Sequence, residues 1–222
     1  MAAAARPVKP FLTGDRVWPA GWTRLHVYLL PDLDQDQGLH RLVRGCRAAM
    51  APFGFLTPVP DPWLHVTVQP VMGIPAAEIG PGERDKLTAR LTEALSDVPA
   101  FTLTAGSALA SVTVVLADLD GDLPGEPLHT VHARCRTAIS DVLGSEAVAY
   151  QAMPGHLTLA YATGSGDSGR VQSALRQVRP GHATLTVREV HLLDVAQDTR
   201  AAGYRWTPVA RIPLAATPPS GT

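Results

Sequence analysis

The sequence is poor in cysteine, lysine and aromatic side chains, and neither sign of charge dominates it. The two cysteines, Cys46 and Cys135, sit in amphipathic patterns without CxxC spacing. That argues against a disulfide framework or a zinc site and predicts two buried, reduced thiols. Lys and Arg number 19 against 20 Asp and Glu, a formal net charge of −1. Proteins that grip long nucleic acid through its phosphates carry a basic excess. The balance therefore favours a mononucleotide or short oligonucleotide over a long duplex. No stretch approaches the roughly 18 apolar residues of a membrane span. Residues 1–5, followed by Arg6-Pro7, lack the apolar core of a signal peptide. A cytoplasmic protein with no membrane partner is the expectation. No Gly-Lys-Ser/Thr follows glycines such as Gly164-Ser165-Gly166, so there is no P-loop and no support for ATP-dependent ligation. His129 and His132 have the i, i+3 spacing of a metal pair but no evident carboxylate or thiolate partner. Neither a metal nor a cofactor is expected.

Apolar residues make up 45% and charged residues 18% of the 222 positions, which suits one soluble domain with a sizeable core. Pro and Gly mark residues 1–22 as a loose lead-in and 215–222 as a frayed tail. Between them, periodicity predicts strands at 24–30, 63–71, 101–104, 111–117, 155–163, 183–195 and 204–214. Helices are predicted at 37–50, 82–96, 127–143 and 169–178.

The element order restarts halfway. Leu39-His40-Arg41-Leu42-Val43-Arg44-Gly45-Cys46-Arg47-Ala48-Ala49-Met50 aligns with Leu128-His129-Thr130-Val131-His132-Ala133-Arg134-Cys135-Arg136-Thr137-Ala138-Ile139 at a constant offset of 89. Leu, His, Cys, Arg and Ala coincide. The pattern is a duplication, with repeats at about 23–106 and 110–214 inside one bilobal domain over 23–214. The expected fold is α+β: two antiparallel sheets facing a central cleft, helices outside, and an approximate two-fold axis.

Each repeat carries one His-x-Thr strand. Trp63-Leu64-His65-Val66-Thr67-Val68-Gln69 and Gly155-His156-Leu157-Thr158-Leu159-Ala160-Tyr161 place their histidines 91 residues apart. Strand side chains alternate faces, so His65 with Thr67, and His156 with Thr158, point one way while the apolar residues point the other. Imidazole exchanges a proton near neutral pH. Two on opposite sides of one phosphate can serve as base for the attacking oxygen and acid for the departing one. A threonine hydroxyl one pleat along can donate to a non-bridging phosphate oxygen.

These paired strands in a duplicated chain resemble the two-histidine (2H) phosphoesterase superfamily, and within it the bacterial 2′-5′ RNA ligase-like and cyclic phosphodiesterase branch. The run Val190-His191-Leu192-Leu193, then Tyr204-Arg205-Trp206 and Ile212-Pro213-Leu214, resembles that branch's closing hairpin. The first motif departs from it, reading Val68-Gln69-Pro70 where many members have an aromatic and then Gly. The resemblance implies metal-independent hydrolysis of 2′,3′-cyclic phosphates or 2′-5′ linkages on RNA ends or small nucleotides, with ligation as the reverse step. His65 and His156 would be the acid–base pair and Thr67 and Thr158 the phosphate contacts. A non-catalytic module binding such nucleotides is the alternative, and a monomer is expected.

Three further residues are candidates for substrate contact. Trp63 shares the His65 face by its i−2 spacing and could stack on a base. His26 lies on the first strand and could line the cleft. Tyr161, an odd number of residues from His156, should point to the opposite face if its strand is regular, which favours the core. Arg205 and Arg211 could reach a phosphate, although exposed strand arginines are ordinarily just solvated.

Overall fold

The structure is a computed structural model in which residues 7–151 and 155–216 are described. Strands β1 (Pro7–Val8), β2 (Thr23–Leu29), β3 (Leu56–Pro58), β4 (Val66–Pro70), β5 (Phe101–Ala110), β6 (Val114–Leu119), β7 (His156–Ala162), β8 (Gly166–Asp167), β9 (Ala183–Val187), β10 (Glu189–Asp198) and β11 (Gly203–Pro213) alternate with helices α1 (Gln37–Met50), α2 (Pro81–Leu95), α3 (Pro127–Leu143) and α4 (Ser168–Leu175). Two antiparallel sheets result, β11-β10-β2-β4 and β7-β6-β5-β9, joined at a single residue pair between β4 and β7, Val66 with Leu157. Strand β3 extends the second sheet along β7. None of the helices is long and apolar enough to cross a membrane among the described residues.

The repeat-related helices form for the same reason. Leu39, Leu42, Cys46 and Met50 of α1, and Leu128, Val131, Cys135 and Ile139 of α3, make matched stripes that are wholly or almost wholly buried. Burying each Leu, Ile or Met contributes about 1.5–3 kcal/mol, which exceeds the weak helix propensity of the β-branched members. Both cysteines are free, and burial pushes their thiols up to about 11 and about 12, so neither is poised as a nucleophile.

The repeats exchange parts. Helix α1 packs on β3, β7 and β9 of the second sheet, whereas α3 packs on β4 of the first. Strand β5 joins β6, and β10 joins β2. Each sheet thus draws strands from both halves of the chain.

Three expectations are corrected. The single strand expected over 183–195 is two strands in different sheets, β9 at the free edge of the second and β10 inside the first between β11 and β2, with Arg188 between them. Buried residues fall at Leu185 and Val187 and then at Val190 and Leu192, a one-residue slip in the period-two pattern that marks the change of sheet. Residues 51–62, where no strand or helix is expected, contain β3. The lead-in is also not loose over its described part, residues 7–22. Strand β1 pairs with β8, and the Lys9 and Phe11 amides donate to the Val112 and Ala162 carbonyls at 2.7 and 2.8 Å. At the other terminus Ala215 is held by Val98 and Ala100 through backbone hydrogen bonds; residues 1–6 and 217–222 lie outside the described residues.

Candidate active site

The Val66–Leu157 pair sets the site. In an antiparallel ladder, residues flanking a facing pair also face each other. His65 therefore lies across from Thr158, and Thr67 across from His156, with all four side chains on the face away from Val66 and Leu157. The approximate two-fold axis runs through that pair. The two histidines occupy one diagonal of this square, and diagonal neighbours on paired strands are spaced roughly 7–8 Å apart. His65 is 5% and Thr158 6% exposed, while Thr67 and His156 are half-buried.

Just beyond each threonine the strand bulges. Val27 faces Gln69 but Tyr28 faces Thr67, leaving Val68 as the extra residue. Val115 faces Ala160 but Leu116 faces Thr158, leaving Leu159 extra. These bulges are also 91 residues apart, so the duplication includes the irregularity. A bulge reverses the alternation that follows it. Gln69 consequently turns to the helix side, where its side-chain oxygen accepts from His132 Nε2 at 3.2 Å and Arg136 Nη1 at 3.1 Å. Its amide nitrogen donates to the Tyr150 carbonyl at 2.8 Å, tying the first motif strand to the segment that leads into the second.

The same reversal corrects the expectation for Tyr161. It turns toward the motif face, where its ring packs on Phe11 at 4.5 Å and its hydroxyl is hydrogen-bonded with the Thr158 side chain. Burial pushes the Tyr161 phenol well above its ordinary value.

His65 is held on every side. Its Nδ1 lies 2.9 Å from the Trp63 carbonyl. A carbonyl can only accept, so Nδ1 carries the proton and the neutral ring keeps its lone pair on Nε2. Tyr28 stacks on the imidazole at 4.2 Å and 14°, and Trp206 stands edge-on at 5.3 Å. Burial lowers the His65 pKa to about 4; the Trp63 carbonyl opposes that shift, and the nearby His156 adds to it. The Tyr28 phenol is pushed well up by burial, with a Thr67 side-chain hydrogen bond partly offsetting it. Each motif threonine thus has a buried tyrosine partner.

The remaining candidates are placed as follows. Trp63 closes a turn of 3₁₀ helix at Asp61–Trp63, and the strand expected from position 63 begins only at Val66. Its ring meets Trp206 edge-on at 4.8 Å, with the Arg205 guanidinium 4.7 Å over it. Arg205 also pairs with Asp198 at 3.4 Å, and Arg211 pairs with Glu189 at 2.7 Å. His26 shares the motif face but is 7% exposed, enclosed by Trp18, Tyr28 and Tyr204. Neither of its ring nitrogens has a hydrogen-bond partner, and burial lowers its pKa to about 3, with His65 and Arg24 contributing. His132 is engaged by Gln69, and no three His, Cys, Asp or Glu side chains converge on a metal-sized site among the described residues. Sequence reasoning missed Tyr28, although it sits two residues from His26 on a predicted strand and so shares its face. It also missed Gln69, whose inward turn depends on a bulge that the residue pattern does not announce.

Comparison with known proteins agrees with this architecture. A family model described as the 2′-5′ RNA ligase superfamily matches residues 31–199. TT0787 of Thermus thermophilus superposes with a TM-score of 0.64 at 17% identity, covering 86% of this chain and 97% of that one. E. coli LigT complexed with 3′-AMP superposes with a TM-score of 0.59 at 20% identity, covering 87% and 98%. The same protein complexed with NADP+ gives 0.57 at 19%, again covering 87% and 98%. At these identities the solved structures speak for the fold. No curated protein matches the chain by sequence. The family model covers well over half of the chain, and the chain belongs to the 2′-5′ RNA ligase superfamily.

Proposed function

We propose that this protein hydrolyses 2′,3′-cyclic phosphates or 2′-5′ phosphodiesters on RNA ends or small nucleotides, using His65 and His156 as general base and general acid and no metal. Membership of the superfamily supports a phosphodiesterase-type function, and the LigT complexes are with small nucleotides. The observation that carries the finer reading is the diagonal placement of the two imidazoles about the Val66–Leu157 pair.

The tautomer of His65 supports giving it the role of base and His156 that of acid. Its bare Nε2 can take a proton from water as the water oxygen attacks phosphorus. His156, on the other diagonal corner, gives a proton to the departing ribose oxygen as the phosphorus–oxygen bond breaks. The products are a phosphate monoester and a free ribose hydroxyl, and solvent exchange restores both rings. Thr67 and Thr158, oriented by Tyr28 and Tyr161, donate to the non-bridging oxygens, where charge gathers in the transition state. A bound anionic phosphate offsets the desolvation that weakens His65 as a base, so its basicity rises when substrate is present.

A panel of 2′,3′-cyclic nucleotides, 2′-5′ dinucleotides and ADP-ribose 1″,2″-cyclic phosphate, followed by phosphorus NMR, tests the reading. The expected result is conversion of at least one member to its monoester, unchanged by a chelator. Tight calorimetric binding with no product after long incubation would instead make the cleft a nucleotide-binding module. Loss of turnover on chelation would overturn the metal-independent mechanism.

A further inference from the structure

Residues 9–22 form a strap that spans both sheets. At one end Phe11 is fixed to β7, through its amide on the Ala162 carbonyl and its ring on Tyr161. At the other, Gln197 of β10 accepts from the Trp18 amide at 2.8 Å and donates to the Arg16 carbonyl at 2.7 Å. Between these anchors sits Tyr204 of β11. Its ring lies 6.1 Å from Phe11, 5.8 Å from Trp18 and 6.1 Å from the His65 ring.

Two arginines converge there. Arg16 lies 5.8 Å over the Phe11 ring and Arg24 lies 4.9 Å over the Trp18 ring. These are the two strap aromatics that flank Tyr204. The contacts of the two guanidiniums are neutral, with the Thr113 hydroxyl and the Met72 sulfur, each at 3.5 Å. Neither arginine has a carboxylate partner among the described residues. Both act electrostatically on the Tyr204 phenol, whose pKa burial raises. On β2, Arg24 shares its face with His26 and Tyr28, so the positive charge continues the row that ends at His65. An unneutralised pair of guanidiniums acting on Tyr204, whose ring neighbours His65, is what a second phosphate would seek, because guanidinium–phosphate hydrogen bonds are among the stronger polar contacts.

We propose that Arg16 and Arg24, held by the strap around Tyr204, form a subsite for a second phosphate, so that the preferred ligands carry a phosphate one nucleotide step from the reacting one. The inference rests on the reading of the His65/His156 site as the first phosphate position. The substrate class it names is the nucleoside 5′-phosphate with a cyclic 2′,3′-phosphate, or the end of a short oligonucleotide, in preference to a nucleoside with the cyclic phosphate alone.

Calorimetry with adenosine 3′,5′-bisphosphate and adenosine 3′-monophosphate tests it on the full chain. The wild type should bind the bisphosphate about tenfold or more tightly than the monophosphate. In the double variant Arg16→Gln/Arg24→Gln that ratio should fall close to one. In Arg16→Lys/Arg24→Lys, which keeps the charge but loses the guanidinium fork and its stacking surface, the ratio should fall between those of the wild type and the glutamine pair. A wild-type ratio near one, no binding of either ligand at millimolar concentration, a ratio that survives in the glutamine pair, or one lost equally in the lysine pair would each overturn the subsite. Hydrolysis is not read in this experiment. A protein with the expected ratio that cleaves no phosphodiester keeps the subsite and loses the proposed activity. One that cleaves cyclic phosphates with a ratio of one does the reverse.

Discussion

Replacing His65 or His156 by alanine is expected to lower turnover of a 2′,3′-cyclic nucleotide by at least about 10²-fold in each case, but the two losses differ in kind. His65 presents a bare Nε2 because the Trp63 carbonyl holds the proton on Nδ1, so its removal deprives the attacking water of its base. His156 is assigned to the departing oxygen. A nucleoside p-nitrophenyl phosphodiester leaves as a stable phenolate and needs no proton. On that substrate the His156→Ala variant should regain most of the lost rate, while His65→Ala should remain as slow as on the natural linkage. The comparison is made by steady-state kinetics, with both variants shown to unfold at the wild-type temperature. Equal rescue of the two variants would remove the assignment of roles. Wild-type-like rates in either would remove the paired site altogether.

Acid should destabilise this fold more steeply than its carboxylates alone would cause. His26 and His65 are 7% and 5% exposed, and burial lowers their pKa values to about 3 and about 4. In the unfolded chain both titrate near 6.5. Above about pH 6.5 both states hold the rings neutral and there is no effect. Below it the unfolded chain takes up protons that the folded one refuses, so stability falls as the pH drops toward the folded values. Each histidine then costs about 1.4 kcal/mol per pH unit. Over two units the pair costs on the order of 5 kcal/mol, comparable to the whole stability of many domains. His26→Phe keeps the ring among Trp18, Tyr28 and Tyr204 and removes the titration. Urea unfolding at pH 6.5, 5.5 and 4.5 should give that variant a slope against pH shallower by about 1.4 kcal/mol per unit. An unchanged slope would mean that His26 is protonated or hydrated in the folded protein.

Much of this arrangement can be read in the residues. The apolar periodicity predicts α1 and α3 to their ends, and the matched buried stripes explain why. The His-x-Thr alternation places four polar side chains on one face, and the seam brings them together. What the residues did not announce depends on pairing partners distant in sequence. The bulges at Val68 and Leu159 are defined only by Tyr28, Val27, Val115 and Leu116 on the neighbouring strands. Simple alternation therefore sends Tyr161 and Gln69 to the wrong faces. The break at Arg188 is hidden because His191-Leu192-Leu193 continues the apolar run across a change of phase. The strap escaped because its Pro and Gly residues describe a chain without regular structure, which need not be a loose one. Its order comes from Gln197 and from rings on β7 and β11.

Oxygen-18 labelling reaches the central claim most directly. Wild-type protein is incubated with a 2′,3′-cyclic nucleotide in H₂¹⁸O and the phosphate is examined by mass spectrometry and phosphorus NMR. Base-assisted attack of water predicts a monoester carrying one ¹⁸O on phosphorus, formed by the wild type and lost in both His65→Ala and His156→Ala. Recovery of the cyclic ligand intact and unlabelled from saturated wild-type protein would contradict the account.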